Sequence, residues 1–158
     1  MLRNAQHLTA RKTANPFIAS ALLAVGALCV AVVAGAFQLR CARGAALSIG
    51  AAHFCVETAA SPLAWQRGLS ERASLGERNG MLFIFPQEAS SRTFWMKGMQ
   101  FPLDMIWIRD HHVVGFESHI VADGGARLIA TPSVDEVLEV NAGAVDRWSI
   151  RVGDVVSH

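Results

Sequence analysis

The sequence predicts a mainly β domain with one or two short helices, an α+β fold arranged as a compact antiparallel sandwich or a partly open barrel. Short apolar runs alternate with turn residues along most of the chain, and few segments have helical spacing. One transmembrane or signal helix is expected ahead of this domain. At 158 residues, the chain has room for a single core of ordinary size.

The N-terminal segment has the pattern of an export or membrane segment. Residues 1–16 are basic, and residues 17–37 contain no charge, which is about the length that a helix needs to cross a bilayer. The excess of basic residues before this stretch favours a cytoplasmic N-terminus only weakly. The helix is interpreted either as a retained anchor or as a signal cleaved near Ala36. Residues 38–46 are then a linker, and 47–158 are the folded domain.

Charge separates the N-terminal segment from the domain. After residue 43 there are nine basic and thirteen acidic side chains, a formal net charge of −4. No cluster of Lys or Arg lies there, which excludes nucleic acid as a partner. The expected partners are the membrane, through the N-terminal helix, and a small ligand or envelope protein. The expected location is extracytoplasmic, either anchored in the inner membrane or released into the periplasm.

Two of the three cysteines lie outside the apolar stretch, at Cys41 and Cys55. In an oxidising compartment, a disulfide between them would close a loop of about 15 residues and stabilise the fold by about 3 kcal/mol. The alternative is two free thiols, with Cys55 as a small buried side chain in a strand. The sequence has no C-x-x-C motif that would indicate a redox or zinc site.

The elements of the domain follow from apolar runs and their boundaries. Residues 47–57 are compatible with a β-strand, and Ser61-Pro62 opens a short helix that extends to about residue 75. The continuous apolar run of residues 80–85 predicts a central strand that is covered on both faces. Further strands are predicted at residues 93–96, 103–108, 113–121 and 137–140, followed by a helical turn at 144–148 and a final strand.

Two of these strands are predicted to pair with each other. Residues 93–96 and 103–108 are separated by turn residues around Gly98 and Pro102, as in a hairpin. The residues expected in the core are Phe83, Phe85, Trp107 and Leu138.

Five sequence blocks resemble a known family. "RGLSERASL", "NGMLFIF", "FWMKGMQFPLDMIWI", "VLEVNAG" and "IRVGDVV" occur in the order typical of the domain of unknown function 192 family, from about Val56 to the C-terminus. Two positions depart from the family pattern, Ser70 where Met is usual and Gly98-Met99 where Asn-Thr is usual. The resemblance implies a small, mainly β domain, often exported or membrane-tethered, with no established activity.

Lys97 is the most informative position for a binding site, because the chain has twelve arginines and only two lysines. We hypothesise that it binds an anionic or carbonyl group of a ligand, with Trp95 and Met99 as pocket walls and Asp104 fixing the turn. In the alternative interpretation, the Lys97 stem covers apolar surface. Asp104 then accepts hydrogen bonds from turn amides near residues 98–101 or pairs with Lys97.

Other functions are supported less well by the sequence. Asp104, Glu139 and Asp154 could supply an acid and a base, so the second interpretation is a carboxylate-dependent enzyme acting on envelope material. No Ser or Cys nucleophile motif, phosphate loop or nucleotide fingerprint is present. A structural accessory domain is the third interpretation, and no cofactor is expected.

A copper site is also considered, because thioether sulfurs bind Cu(I). Methionine is more often a core residue, however, and the two adjacent histidines lack partners at ligand spacing, so no metal site is predicted. The side chains concerned are Met81, Met96, Met99, Met105, His111 and His112.

Overall fold

The computed structural model describes residues 41–85, 91–122 and 128–158. The predicted basic segment and the predicted anchor or signal helix lie outside these residues. Within the described residues, no helix has the length and apolar character needed to cross a membrane. The first strand begins at Ala45, just before the predicted start of the domain.

The described part of the domain is mainly β, with two short helices. In chain order its elements are β1 (Ala45–Ile49), β2 (Ala52–Ala59), α1 (Pro62–Arg67), β3 (Asn79–Ile84), β4 (Thr93–Trp95), β5 (Leu103–Arg109), β6 (His112–Ile120), β7 (Leu128–Ala130), β8 (Glu136–Asn141), α2 (Ala144–Arg147) and β9 (Val156–Ser157).

Seven strands form one sheet in the order β6-β5-β8-β3-β2-β1-β9, and β4 pairs with β7 in a separate ribbon. Neighbouring strands are antiparallel except β2 and β3, which are parallel. The sheet is curled into a half barrel. Its two edges approach each other at an isolated bridge between His112 and Val155. The Val113 amide also donates to the Asp154 carbonyl at 3.0 Å. Of the two predicted architectures, the structure has the partly open barrel.

The main sheet is buried on both faces, as the continuous apolar run of β3 predicts. Leu82 belongs to a core cluster that contains residues from all seven strands of the sheet and from α2. The neighbouring residues Met81 and Phe83 point to the other face and join a second cluster. Side chains of α1 and of the β4–β7 ribbon pack against this second cluster. We call the side of the sheet that α1 and the ribbon cover the outer face.

Three of the four residues predicted in the core are buried, and the fourth is half-buried. Phe83, Phe85 and Leu138 are buried. Trp107 is half-buried and packs against the outer-face cluster.

The predicted hairpin between β4 and β5 does not form. β4 pairs with β7, whereas β5 lies in the main sheet between β6 and β8. The stretch predicted as one strand over residues 47–57 is likewise two strands, divided by a turn at Gly50 and Ala51. The apolar pattern of a short segment predicts that it is extended, but it does not determine its partner or a tight turn within it.

The predicted helix over residues 62–75 is shorter than expected. Ser61 caps its N-terminus by accepting a hydrogen bond from the Ala64 amide, and Gly68 ends it with a φ of 49°. A Cβ atom at Gly68 would lie 3.2 Å from the Phe83 ring. The glycine therefore both terminates α1 and allows the end of the helix to pack directly on β3.

Candidate functional site

A cleft of about 250 Å³ opens between α1, the β4 strand and the outer face of the sheet. Its volume is just below the roughly 300 to 1,000 Å³ of sites that bind drug-sized molecules. Five aromatic side chains account for much of its wall, and these are Trp65, Phe83, Phe85, Phe94 and Trp95.

The aromatic rings of the wall pack on one another. Phe83 and Phe94 meet edge to face with ring centroids 5.2 Å apart, and Trp65 lies at the same distance from Phe85. Trp65 is further fixed by a hydrogen bond from its Nε1 to the Ala59 carbonyl at 2.9 Å. These contacts give the cleft a preformed apolar wall, while Trp95 stays 43% exposed at its edge.

Glu139 lines the cleft and is almost completely buried, with 5% of its surface exposed. Burial disfavours the charged form and raises the pKa of its carboxyl group from 4.5 to about 8. No described side chain forms an ion pair with it. The protonated form of Glu139 therefore predominates at pH 7, and this form can donate a hydrogen bond as well as accept one.

The position of Glu139 follows from the alternation of side chains along β8. Leu138 and Val140 point into the half barrel, so Glu139 points to the outer face, opposite Met81 of β3 and Met105 of β5. The sequence contains a signal for this site. Burying a glutamate within the apolar run "VLEV" costs free energy, and such a group is therefore a candidate for a functional role.

The loop that follows α1 is held against the sheet and the 97–98 turn. Arg72 forms two hydrogen bonds to the Glu57 carboxylate at 2.6 and 2.8 Å. On the other side, the Glu71 amide donates to the Gly98 carbonyl at 2.9 Å. This loop and α1 thus form a fixed side of the cleft.

The two positions that depart from the family pattern contact each other. The Ser70 hydroxyl donates to the Lys97 carbonyl at 3.0 Å, and a Cβ atom at Gly98 would lie 3.3 Å from the Ser70 Cβ. Gly98 has a φ of 76°, which favours glycine. The small residues Ser70 and Gly98 allow the two loops to approach each other closely. Ser70 and Met99 also line the cleft.

The structure brings together only part of the predicted site. Trp95 and Met99 line the cleft, but Lys97 and Asp104 do not. The Lys97 side chain is exposed. Lys97 and Asp104 do not flank a common hairpin turn, because β4 and β5 do not pair with each other.

Asp104 is fully buried and binds backbone groups other than those predicted. Its Oδ1 accepts a hydrogen bond from the His119 amide at 2.8 Å, and its Oδ2 accepts one from the Val145 amide at 2.9 Å. The second contact caps the first turn of α2. Asp104 therefore ties β6 to α2, rather than holding residues 98–101.

The three carboxylates proposed as an acid and base pair do not converge. Asp104 faces the interior of the half barrel with Val140, whereas Glu139 points to the outer face. Asp154 accepts a hydrogen bond from the Arg151 amide at 2.8 Å and does not line the cleft. Glu139 is thus the only carboxyl group among the described residues of the cleft wall.

A second buried glutamate of β8, Glu136, lies elsewhere. Its Oε1 is 3.1 Å from the His158 Nε2, and burial raises the pKa of its carboxyl group while His158 opposes the shift. A further recess of about 370 Å³ is lined by Arg147 and Glu77, but these two side chains pair with each other at 2.6 Å. Neither place combines an apolar wall with an unpaired buried group.

The methionines considered for copper are mainly core residues. Met81, Met96 and Met105 are buried in the outer-face cluster, and Met99 packs partly buried against it. Among the described residues, no group of three or more His, Cys, Asp or Glu side chains could hold a metal ion.

Cys41 and Cys55 are joined by a disulfide bond, with their Cα atoms 5.4 Å apart. Cys55 lies in β2, so the bond fixes the segment that precedes β1 to the adjacent strand.

Comparison with known proteins identifies relatives of the domain but no activity. The model of the DUF192 family, described as an uncharacterised conserved region, matches residues 45–158. A solved protein of unknown function from Novosphingobium aromaticivorans is 27% identical, with a TM-score of 0.68 over 72% of this chain and 84% of that chain. A protein from Sinorhizobium meliloti, described as a candidate transcription regulator, is 28% identical, with a TM-score of 0.68 over 76% and 97% of the two chains. The comparison with curated proteins gave no match.

Proposed function

The chain belongs to the DUF192 family of uncharacterised proteins, and we propose that its domain is an exported or membrane-tethered module that binds a small ligand in the aromatic cleft. The observation that carries this proposal is Glu139, a buried carboxyl group without a charged partner that faces an apolar cleft. Burying an ionisable group costs free energy, which favours the interpretation that a ligand uses it. An apolar wall with a few polar groups is the usual composition of such sites.

Two features support the extracytoplasmic part of the proposal. The disulfide between Cys41 and Cys55 is of the kind that persists in oxidising compartments. The uncharged stretch of residues 17–37 has the length of a membrane or signal helix. In spheroplasts, an external protease should reach the domain, and an anchored chain should stay with membranes after carbonate extraction. A domain protected inside intact spheroplasts would contradict this part of the proposal.

Binding can be tested with the full chain in lipid nanodiscs. A library with equal numbers of small apolar acids, neutral molecules and amines would be screened by saturation-transfer NMR, with empty nanodiscs as the blank. Trp95→Ala should weaken the binding of any cleft ligand roughly tenfold, because it removes an aromatic wall. Trp95 is partly exposed, so this truncation should leave the fold intact.

Leu63→Ala is the matched control. Leu63 is 77% exposed on α1 and does not line the cleft, so the variant should bind like the parent. If no compound binds, or if Trp95→Ala binds as well as the parent, the cleft is not a ligand site and the domain is better described as a structural accessory.

A further inference from the structure

We infer that the ligand of the cleft is a small amphipathic anion, whose apolar body packs on the aromatic wall and whose acidic group pairs with Arg92. This inference rests on the proposed function, because it assumes that the cleft binds a ligand. It adds the chemical class of that ligand.

The charges around the cleft favour an anion. Arg67, Arg92 and Glu139 are the ionisable side chains among its described lining residues. Neither arginine forms an ion pair with a described carboxylate. Since the buried Glu139 carboxyl is mainly neutral at pH 7, the two guanidinium groups give the described lining of the cleft a net positive charge.

Arg92 is placed to bind an oxyanion. Its backbone amide donates to the Thr131 hydroxyl and its carbonyl accepts from the Thr131 amide, each at 2.9 Å, so it is fixed beside the β4–β7 ribbon. Its guanidinium group lies 4.4 Å above the Phe85 ring. Its Nε is buried and has no hydrogen-bond partner among the described residues. A flat guanidinium group stacked on an aromatic ring next to an apolar cleft suits a carboxylate attached to an apolar body.

A cationic ligand is the main alternative, because aromatic faces also attract cations. In this cleft a cation would meet Arg67 and Arg92 at the wall and would have to ionise Glu139 to obtain a counter-charge. An anion meets two guanidinium groups that no described carboxylate pairs with, and the protonated Glu139 can donate a hydrogen bond to one of its oxygens. The arrangement therefore selects acids over amines.

Three compounds that share a phenylpropyl body separate these possibilities: 3-phenylpropanoate, 3-phenylpropanamide and 3-phenylpropylammonium. Calorimetric titration of the full chain in nanodiscs at pH 7 should show the propanoate binding roughly tenfold tighter than the amide, and the ammonium binding weakest. Arg92→Gln should reduce the affinity for the propanoate to that for the amide and leave the affinity for the amide unchanged. Arg109→Gln, at an exposed position outside the cleft, is the control and should bind like the parent.

The outcomes distinguish this inference from the proposed function. If cleft ligands are found but amines or neutral molecules bind as tightly as acids, the cleft is a ligand site and the anionic class is wrong. The same holds if Arg92→Gln keeps the parent's preference for the propanoate. If no compound of any class binds in the preceding screen, the proposed function fails and the inference fails with it.

Discussion

At the scale of single residues, Asp104 shows how a buried charge can be a structural requirement. Both of its oxygens accept hydrogen bonds from backbone amides, one in β6 and one in α2. The His119 amide that it binds belongs to a residue with a φ of 55°, a conformation that costs free energy for a side chain of this kind. The carboxylate thus stabilises a local backbone conformation that would otherwise be unfavourable.

We predict that Asp104→Asn lowers the free energy of unfolding by about 1 to 3 kcal/mol. An amide side chain replaces one acceptor oxygen by an NH₂ group, which then faces a backbone N–H donor in a buried place. Urea denaturation would measure the change. Asp110→Asn is the control, because Asp110 is exposed and Asn tolerates its φ of 51°. A loss of similar size in both variants would contradict the role given to Asp104.

A second prediction at the scale of single residues concerns Glu139 and the pH dependence of stability. The pKa of its carboxyl group is about 8 in the folded protein and close to 4.5 in the unfolded chain. Between these values the unfolded chain has lost a proton that the folded protein keeps, so stability falls as pH rises, by up to about 1.4 kcal/mol per pH unit. Below and above this window the Glu139 contribution is constant.

Glu139→Gln should remove this dependence, because the amide does not ionise. Its stability relative to the parent should therefore increase from pH 5 to pH 8 in a series of urea titrations. Glu136→Gln changes the other buried glutamate of β8 and should keep the decline that Glu139 causes. Parallel curves for the parent and Glu139→Gln would show that the carboxyl group is not buried as described.

At the scale of elements, the sequence predicts strands better than it predicts their partners. The β3 and β8 strands were predicted from their apolar runs, and β5 and β6 lie close to their predicted positions. The three-residue strand β7 was missed, because "LIA" is too short to show a period. Without a predicted β7, the sequence pattern leaves β5 as the apparent partner of β4, whereas β4 pairs with β7 in the structure.

The disulfide gives a prediction at this scale. The bonded cysteines are 14 positions apart in the sequence, so the link restricts a short loop of the unfolded chain. The double variant Cys41→Ser, Cys55→Ser should be less stable than the oxidised parent by about 3 kcal/mol in urea denaturation. A reducing agent should destabilise the parent to a similar extent and leave the double variant unchanged. Equal stability of the oxidised parent and the double variant would contradict the prediction.

At the scale of the whole molecule, the site depends on long-range packing that no local pattern reveals. The α+β class could be predicted, because turn residues and short apolar runs are local features, but these features left a sandwich and a partly open barrel as alternatives. The cleft could be predicted only in part, since Trp95 and Met99 are close in the sequence to Lys97, whereas Glu139 and Trp65 are distant from it. The rarity of lysine in this arginine-rich domain favours a role for Lys97, but the sequence does not determine whether its side chain points into the cleft or into solvent.

The place of β8 in the sheet has a consequence for the order of assembly. β8 lies between β5 and β3, so each of these strands has an open edge until residues 136–141 are available. During synthesis from the N-terminus, the β1–β2 and β5–β6 hairpins can form early, but the two halves of the sheet cannot join. Unpaired strand edges are prone to wrong pairing, and a sheet that needs such distant segments forms slowly. A nascent chain with this strand order therefore cannot complete its main sheet until residues 136–141 have been synthesised.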